Sequence, residues 1–239
     1  MYQRASAVAL YWNGLFESGI RVSTRDSFSL VINPSLTDER RAMIVMLANG
    51  STRAAISPNT ASTLGVASGS PPVSLQWLRE ALHTAGVELH APDVIYHVAA
   101  TGLPPAGSVN AVEVRQLASD DASLFDEFMS QISVDDQNDA SVELGHWATF
   151  GAFVESQLLA VASIYPWGGA AIADMGVLTM PRARGRGLAT SLVRAMVGHA
   201  KSRGYGAQYR CQCDNVASNA LAQSLGLTPY GKWEVAFAP

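Results

Sequence analysis

"TMPRARGRGLATSL", residues 179–192, sets three arginines and two glycines between the apolar run "AAIADMGVLT" (170–179) and a segment whose apolar residues recur at helical spacing. A strand that feeds a helix through a basic, glycine-containing loop is suited to an anion. Bare backbone lets N–H groups converge on the ligand, and the first helical turn adds unpaired donors and the positive end of the helix dipole. Arg184 and Arg186 supply charge-assisted donors, while Gly185 and Gly187 keep the approach clear of side chains.

Two common phosphate loops are excluded. The chain has no Walker loop, since no glycine is followed at the required spacing by Gly-Lys-Ser/Thr. Gly185-Arg186-Gly187 begins the dinucleotide pattern, but Thr190 stands at its third glycine. The ribose-binding acid expected about 20 residues on is missing as well, because that region reads "GYGAQYR".

The chain as a whole bounds the answer. With 239 residues, 48% of them hydrophobic, it is long enough for two ordinary domains. A net charge of −4 weighs against nucleic acid as a partner. No apolar run approaches the roughly 18 residues of a membrane span, so no membrane association is expected. The opening "MYQRASAVALYWNGLFES" lacks a small-residue cleavage site and reads as an amphipathic helix. Cys211 and Cys213, two apart on an expected strand, point to one face, form no disulfide framework and fit a reducing, cytoplasmic location. A homodimer is compatible with all of this.

Charge is unevenly spread. Glu113–Asp174 holds eleven acids and the single base Arg115, whereas Arg182–Arg210 holds seven bases and no acid. The basic part suits a polyanion, and the acidic part tolerates a cationic group.

Proline and glycine cluster at "TGLPPAGSVN" (101–110), so the domains are read as 1–105 and 110–239. Upstream, Asn49-Gly50 between apolar runs marks a hairpin. Ser57 with Pro58 opens a short helix, Ser74 caps a longer one that Gly86 stops, and "VIYHVAA" is a strand. The second half reads β-α-β-β-β-α-β-α-β, with a turn near Glu155–Gln157 and a helix over 188–203. The fold class is therefore α/β (α+β), with a smaller N-terminal α/β domain.

Taken together, Arg184, Gly187 and Ala189 occupy the fixed positions of R/Q-x-x-G-x-G/A, and the stretch resembles the acetyl-CoA loop of GNAT-type N-acetyltransferases. Asn215, Ser218, Leu221, Leu225, Gly226 and Leu227 match the second motif of that family, N-x-x-[AS]-x-x-L-x-x-x-L-G-[FL], in order and spacing. The resemblance covers about 112–237. It implies a mixed sheet flanked by helices, acetyl-CoA as cosubstrate and direct attack of a primary amine on the thioester. By the resemblance, Val177, Leu178 and Thr179 would line the pantetheine arm and Arg184, Gly185, Arg186, Gly187, Leu188, Ala189 and Thr190 would cradle the pyrophosphate. Asn215 would contact the pantetheine or the thioester end, Ser218 would also belong to the cofactor site, and Asp174 would act as base. Asp135, Asp136, Asp139 and Glu143 fall where relatives place the acceptor-binding helix and loop.

The sequence departs from the family at Ala222, where many members carry a tyrosine acid; Tyr209, Ser224 and Tyr230 are substitutes to consider. The favoured acceptor is a small-molecule amine in a pocket shaped by the N-terminal domain. A CoA-binding regulator without turnover and a peptide or protein N-terminal acetyltransferase are the alternatives. No metal is expected: His83, His90 and His97 recur every seven residues but cross a helix, a loop and a strand. Trp147, Phe150 and Phe153 are read as core or pocket lining on consecutive strands, and Trp167 as a turn anchor before Gly168-Gly169.

Overall fold

The computed structural model describes residues 6–25, 27–70, 73–99, 101–105 and 112–237. In chain order its elements are α1 (Ala7–Glu17), β1 (Ile20–Arg25), β2 (Phe28–Ile32), β3 (Ala42–Leu47), β4 (Thr52–Ile56), α2 (Pro58–Leu64), α3 (Leu75–Thr84) and β5 (Asp93–His97). There follow β6 (Glu113–Leu117), α4 (Ala122–Met129), α5 (Val134–Ala140), β7 (Ala148–Val154), β8 (Gln157–Pro166) and β9 (Ile172–Thr179). The chain closes with α6 (Leu188–Ser202), β10 (Gly206–Gln212), α7 (Val216–Ser224) and β11 (Thr228–Val235). Two compact units result: Ala9–Ile95 with Gln212–Asp214 and Pro229–Pro239, and Met1–Val8 with Tyr96–Cys211 and Asn215–Thr228.

In the first unit the strands run β1-β2-β4-β3-β11. Local chemistry sets the β3–β4 hairpin: Gly50 takes a left-handed φ of 83°, and Asn49 Oδ1 accepts the Ser51 N–H at 3.0 Å. Alternate residues Leu30, Ile32, Ala42, Ile44, Ala54 and Ile56 form one apolar face under Leu78 and Leu82 of α3. The other face is covered by α1, whose Trp12 ring meets Trp233 edge-on at 5.0 Å and whose Asn13 and Glu17 receive the Arg53 guanidinium. Ser57 accepts the Thr60 N–H and Ser74 the Trp77 N–H, so both expected helix caps are formed. Strands β1 and β2 were not anticipated; β2 lies parallel to β4 and carries part of that core.

In the second unit the order is β10-β9-β8-β7-β6: an antiparallel meander from β6 to β9, then a parallel return to β10 through α6. The turn between β7 and β8 is made by Glu155 and Ser156, both left-handed (φ 50° and 64°). Leu188, Leu192, Val193, Met196 and Ala200 bury one stripe of α6. Of the proposed boundary stretch, 106–110 lie outside the described residues; in the remainder, the Pro104 carbonyl accepts from Arg194 of α6 at 2.6 Å. The expected strand "AQYRCQC" ends at Gln212, so Cys213 is past the strand rather than on a shared face with buried Cys211, and neither cysteine is in a disulfide. Phe150 and Phe153 share β7 and Trp147 precedes it, so these rings do not occupy consecutive strands.

Arg115 and Asp121 tie β6 to the start of α4. Arg115 donates to both Asp121 oxygens at 2.7 and 2.9 Å, and the Ala118 N–H donates at 2.9 Å. The guanidinium first, then the backbone donor, hold the Asp121 carboxyl at about 2 against an ordinary 3.8. Because the folded value is the lower one, this contribution is present above pH 3.8 and is lost as pH falls toward 2. Asp121→Asn should therefore lower the thermal midpoint near neutral pH, with the gap to the parent narrowing through that acid window. A gap that does not change with pH would contradict the assignment.

Candidate functional site

The parallel register of β9 and β10 pairs Ile172 with Gly206, Ala173 with Ala207, Asp174 with Gln208 and Met175 with Tyr209, and then stops. On its other side β9 stays paired to β8 as far as Thr179. The two parallel strands therefore part at Gly176. Backbone direction follows from the flanking bonds: Trp167 N–H donates to Ile172 O and Met180 N–H to Leu159 O, both on the β8 side, whereas Ala171 O accepts Gly206 N–H on the β10 side, each at 2.9 Å. By the alternation of a strand, Val177 and Thr179 aim their N–H and C=O groups toward β10, beyond the last paired residues. Leu178 between them is buried at 5% exposure.

A single 3-10 turn (Pro181–Ala183) carries the chain from β9 into the loop. Gly185 and Gly187 adopt φ of 76° and 79°, which an L side chain rarely takes, and Gly187 is the N-cap of α6 with no side-chain acceptor. A Cβ at Gly185 would meet no protein atom within 4 Å, so space is open beside the loop. The N–H groups of Leu188, Ala189 and Thr190 form the first turn at the positive end of a 15-residue helix. Arg186 is exposed; Arg184 pairs at 3.1 Å with Asp136 of α5, both side chains about half exposed.

Asp174 is 3% exposed and fully engaged. Arg210 donates to its Oδ2 from Nε at 3.0 Å and Nη2 at 2.7 Å, Tyr165 adds its hydroxyl at 3.2 Å, and Gln208 donates to Oδ1 at 3.2 Å. Arg210 also lies 4.1 Å over the Trp167 ring, whose turn uses left-handed Gly168 and Gly169. A base needs a lone pair aimed at substrate, and here the carboxylate is held as counterion to Arg210.

The second motif is also built inward. Asn215 caps α7, its Oδ1 accepting the Ser218 N–H at 2.9 Å and its carbonyl accepting Asn219 Nδ2 at 2.8 Å, while Tyr96 donates to Asn219 at 2.8 Å. The Ser218 side chain bonds the Tyr209 hydroxyl, which burial pushes up to about 12. Ala222 is fully buried in α7. Ser224 donates to Leu221 O at 2.8 Å, and Tyr230 belongs to the first unit, where it donates to Asn13 at 2.8 Å.

Register places Ser163, Tyr165, Asp174, Gly176, Gln208 and Arg210 on one face of the sheet. Across that face lies a residue that sequence reasoning passed over, His146. Its Nδ1 is 2.8 Å from Ser163 Oγ, its ring lies against Tyr165 at 4.4 Å, and its Nε2 is 3.7 Å from Glu143 Oε2. Burial lowers its affinity for a proton, and Glu143 partly offsets this. The end of α5 closes on the same face: a Cβ on Gly176 would overlap the Ala140 carbonyl oxygen. Because that obstacle is backbone, Gly176→Ala should cost about 1–3 kcal/mol in denaturant unfolding, the range of an overpacked core. Parent-like stability would show that α5 gives way freely.

Residues 112–227 match the family model described as "Acetyltransferase (GNAT) family". A search of curated protein sequences gives no match. Among solved structures, a GNAT-family acetyltransferase from Colwellia psychrerythraea is 15% identical with a TM-score of 0.49, over 68% of this chain and 62% of that one. A candidate acetyltransferase of the same family from Novosphingobium aromaticivorans is 18% identical with a TM-score of 0.50, over 77% of this chain and 82% of that one. The chain thus spans 62% of the length of the Colwellia protein. At 18% identity the likeness to the Novosphingobium protein is one of fold: a mixed sheet flanked by helices.

Proposed function

We propose that this chain, whose residues 112–227 are a domain of the GNAT acetyltransferase family, moves the acetyl group of acetyl-CoA onto a primary amine of a small molecule. The observation that carries this reading is the end of β9–β10 pairing at Met175 and Tyr209, on a strand that runs directly into a left-handed glycine loop and the first turn of α6.

Bound acetyl-CoA would supply an activated acyl thioester. The Leu188, Ala189 and Thr190 N–H groups, with Arg184 and Arg186, would hold its pyrophosphate, and left-handed Gly185 and Gly187 leave room for it. The outward backbone groups of Val177 and Thr179 would bond the pantetheine amides as an added strand, with Leu178 anchoring that edge in the core. Gly176, where the two strands part, would lie at the thioester end of the wedge. Asn215 and Ser218 act by fixing the first turn of α7 beside Tyr209. Asp174 acts by fixing Arg210 and Tyr165 on the face next to the wedge, not as a base.

The acceptor arrives as a cation. Asp135, Asp136 and Asp139 of α5 and Glu143 just beyond it give that side a negative potential, which attracts and orients an ammonium. Ala222 offers no hydroxyl to the leaving sulfur, so the thiolate departs unprotonated; thiols ionise near pH 8.5, which makes this a mild requirement. The same residue favours a second reading, a CoA-binding protein without turnover.

Purified protein with acetyl-CoA and a panel of small amines and peptides separates the readings. Thiol release matched by an acetylated small amine supports the proposal, product only from peptides moves the acceptor class, and tight binding without any product favours the regulator.

A further inference from the structure

We propose that His146 is the group that takes the proton from the acceptor's ammonium, with Ser163 and Tyr165 as its positioning residues. The inference rests on the acetyl-transfer reading above. It begins with placement. Ser163 on β8 is the register partner of Gly176, the residue at which β9 leaves β10. Ser163 is fully buried, with its Oγ accepting the Glu143 N–H at 3.3 Å and meeting His146 Nδ1 at 2.8 Å. The imidazole is thus fixed through one serine to the strand position where the wedge closes.

Its ring plane is fixed as well, stacked on Tyr165 at 4.4 Å with 33° between planes. Tyr165 is in turn held by Asp174, which Arg210 pairs. Two contacts therefore set the position and tilt of one imidazole, and the chain behind them is a buried ion pair. In the tautomer whose Nδ1–H donates to Ser163, the Nε2 lone pair is left for a substrate proton. The His146 side chain keeps 18% exposure.

The groups facing it act in known directions. Desolvation favours the neutral ring, and Glu143 at 3.7 Å steadies the imidazolium once formed. The Tyr165 hydroxyl is pushed up to about 12 by burial and stays protonated, and the Asp174 and Arg210 charges behind it are paired with each other. In that tautomer His146 carries a lone pair on this face that neither Ser163 nor Tyr165 takes up, and burial favours its neutral form.

The step balances without a further reactant. The ammonium N–H proton passes to His146 Nε2 and its bonding pair remains on nitrogen. That pair forms the C–N bond to the acetyl carbonyl carbon of the thioester, the C–S pair leaves with sulfur as thiolate, and the second N–H proton, made acidic on the acylated nitrogen, passes to solvent. The imidazolium returns its proton to solvent.

The test compares parent and His146→Gln in acetyl-CoA affinity, kcat and the pH dependence of kcat/KM, with the imidazole titration of the free protein followed by NMR. His146 should titrate below the ordinary 6.5. The variant should bind acetyl-CoA within about twofold of the parent but turn over on the order of 100-fold more slowly near neutral pH, the lower end of a general base's contribution. Its rate should then climb with pH toward the amine's own ionisation, replacing the parent's limb at the His146 titration. Ser163→Ala should move that limb and the NMR titration together, which a purely structural role would not do. An active parent whose variant keeps the acidic limb, or an NMR titration that does not coincide with it, would overturn the inference alone. A parent that releases no thiol with any amine would overturn the acetyl-transfer reading itself.

Discussion

Arg184→Glu is expected to weaken acetyl-CoA binding by on the order of 100-fold, about 3 kcal/mol, in isothermal titration calorimetry. One charge-assisted hydrogen bond to a phosphate contributes roughly 1.5–3 kcal/mol, and the substituted carboxylate adds repulsion at the same point. Folding should be nearly indifferent. The present partner of Arg184 is Asp136 at 3.1 Å, with the two side chains 53% and 44% exposed, and pairs of that kind contribute about 0–1 kcal/mol. Raised salt should reduce the difference between parent and variant. Unchanged affinity would remove the pyrophosphate assignment of the loop.

The second large effect concerns stability. Asp174→Ala is expected to lower the unfolding free energy by about 3–5 kcal/mol, because it strands a charge whose pair is largely buried. The side chains of Asp174 and Arg210 are 4% and 18% exposed, and they are 2.7 Å apart. Tyr165 and Gln208 would lose their acceptor in the same substitution. Replacing both members of the pair by apolar residues of similar volume should recover much of the loss. Asp174→Ala within about 1 kcal/mol of the parent would show that Arg210 finds water or another acceptor, and would withdraw the anchoring role.

What could be read from the residues and what could not divides by distance along the chain. The shape of the loop was legible because its requirements are local: glycines for left-handed backbone and a helix starting at once. The Asn49-Gly50 hairpin and the Ser57 and Ser74 caps were legible for the same reason. Strands β1 and β2 were not: "IRVSTR" and "FSLVI" are short, and β2 is specified by its parallel neighbour β4, not by its own period.

The site shows the same division. A carboxylate inside "AAIADMGVL" was visible as an oddity, and the resemblance suggested a base. It is paired with Arg210, 36 residues on, and only the register of two parallel strands brings them together. His146 carried no local signal, because its partner Ser163 is 17 residues downstream and across β7. Asn215 was recognised by its motif, but its side chain turns out to cap α7.

The most direct test of the account is the stoichiometry of one reaction: purified protein, acetyl-CoA and a small primary amine, with free thiol and acetylated amine measured together. The account predicts the two in equal amounts, both falling sharply with Arg184→Glu at limiting acetyl-CoA. Acetyl-CoA bound tightly with neither product formed across the amine panel, or thiol released without acetylated amine, would contradict it.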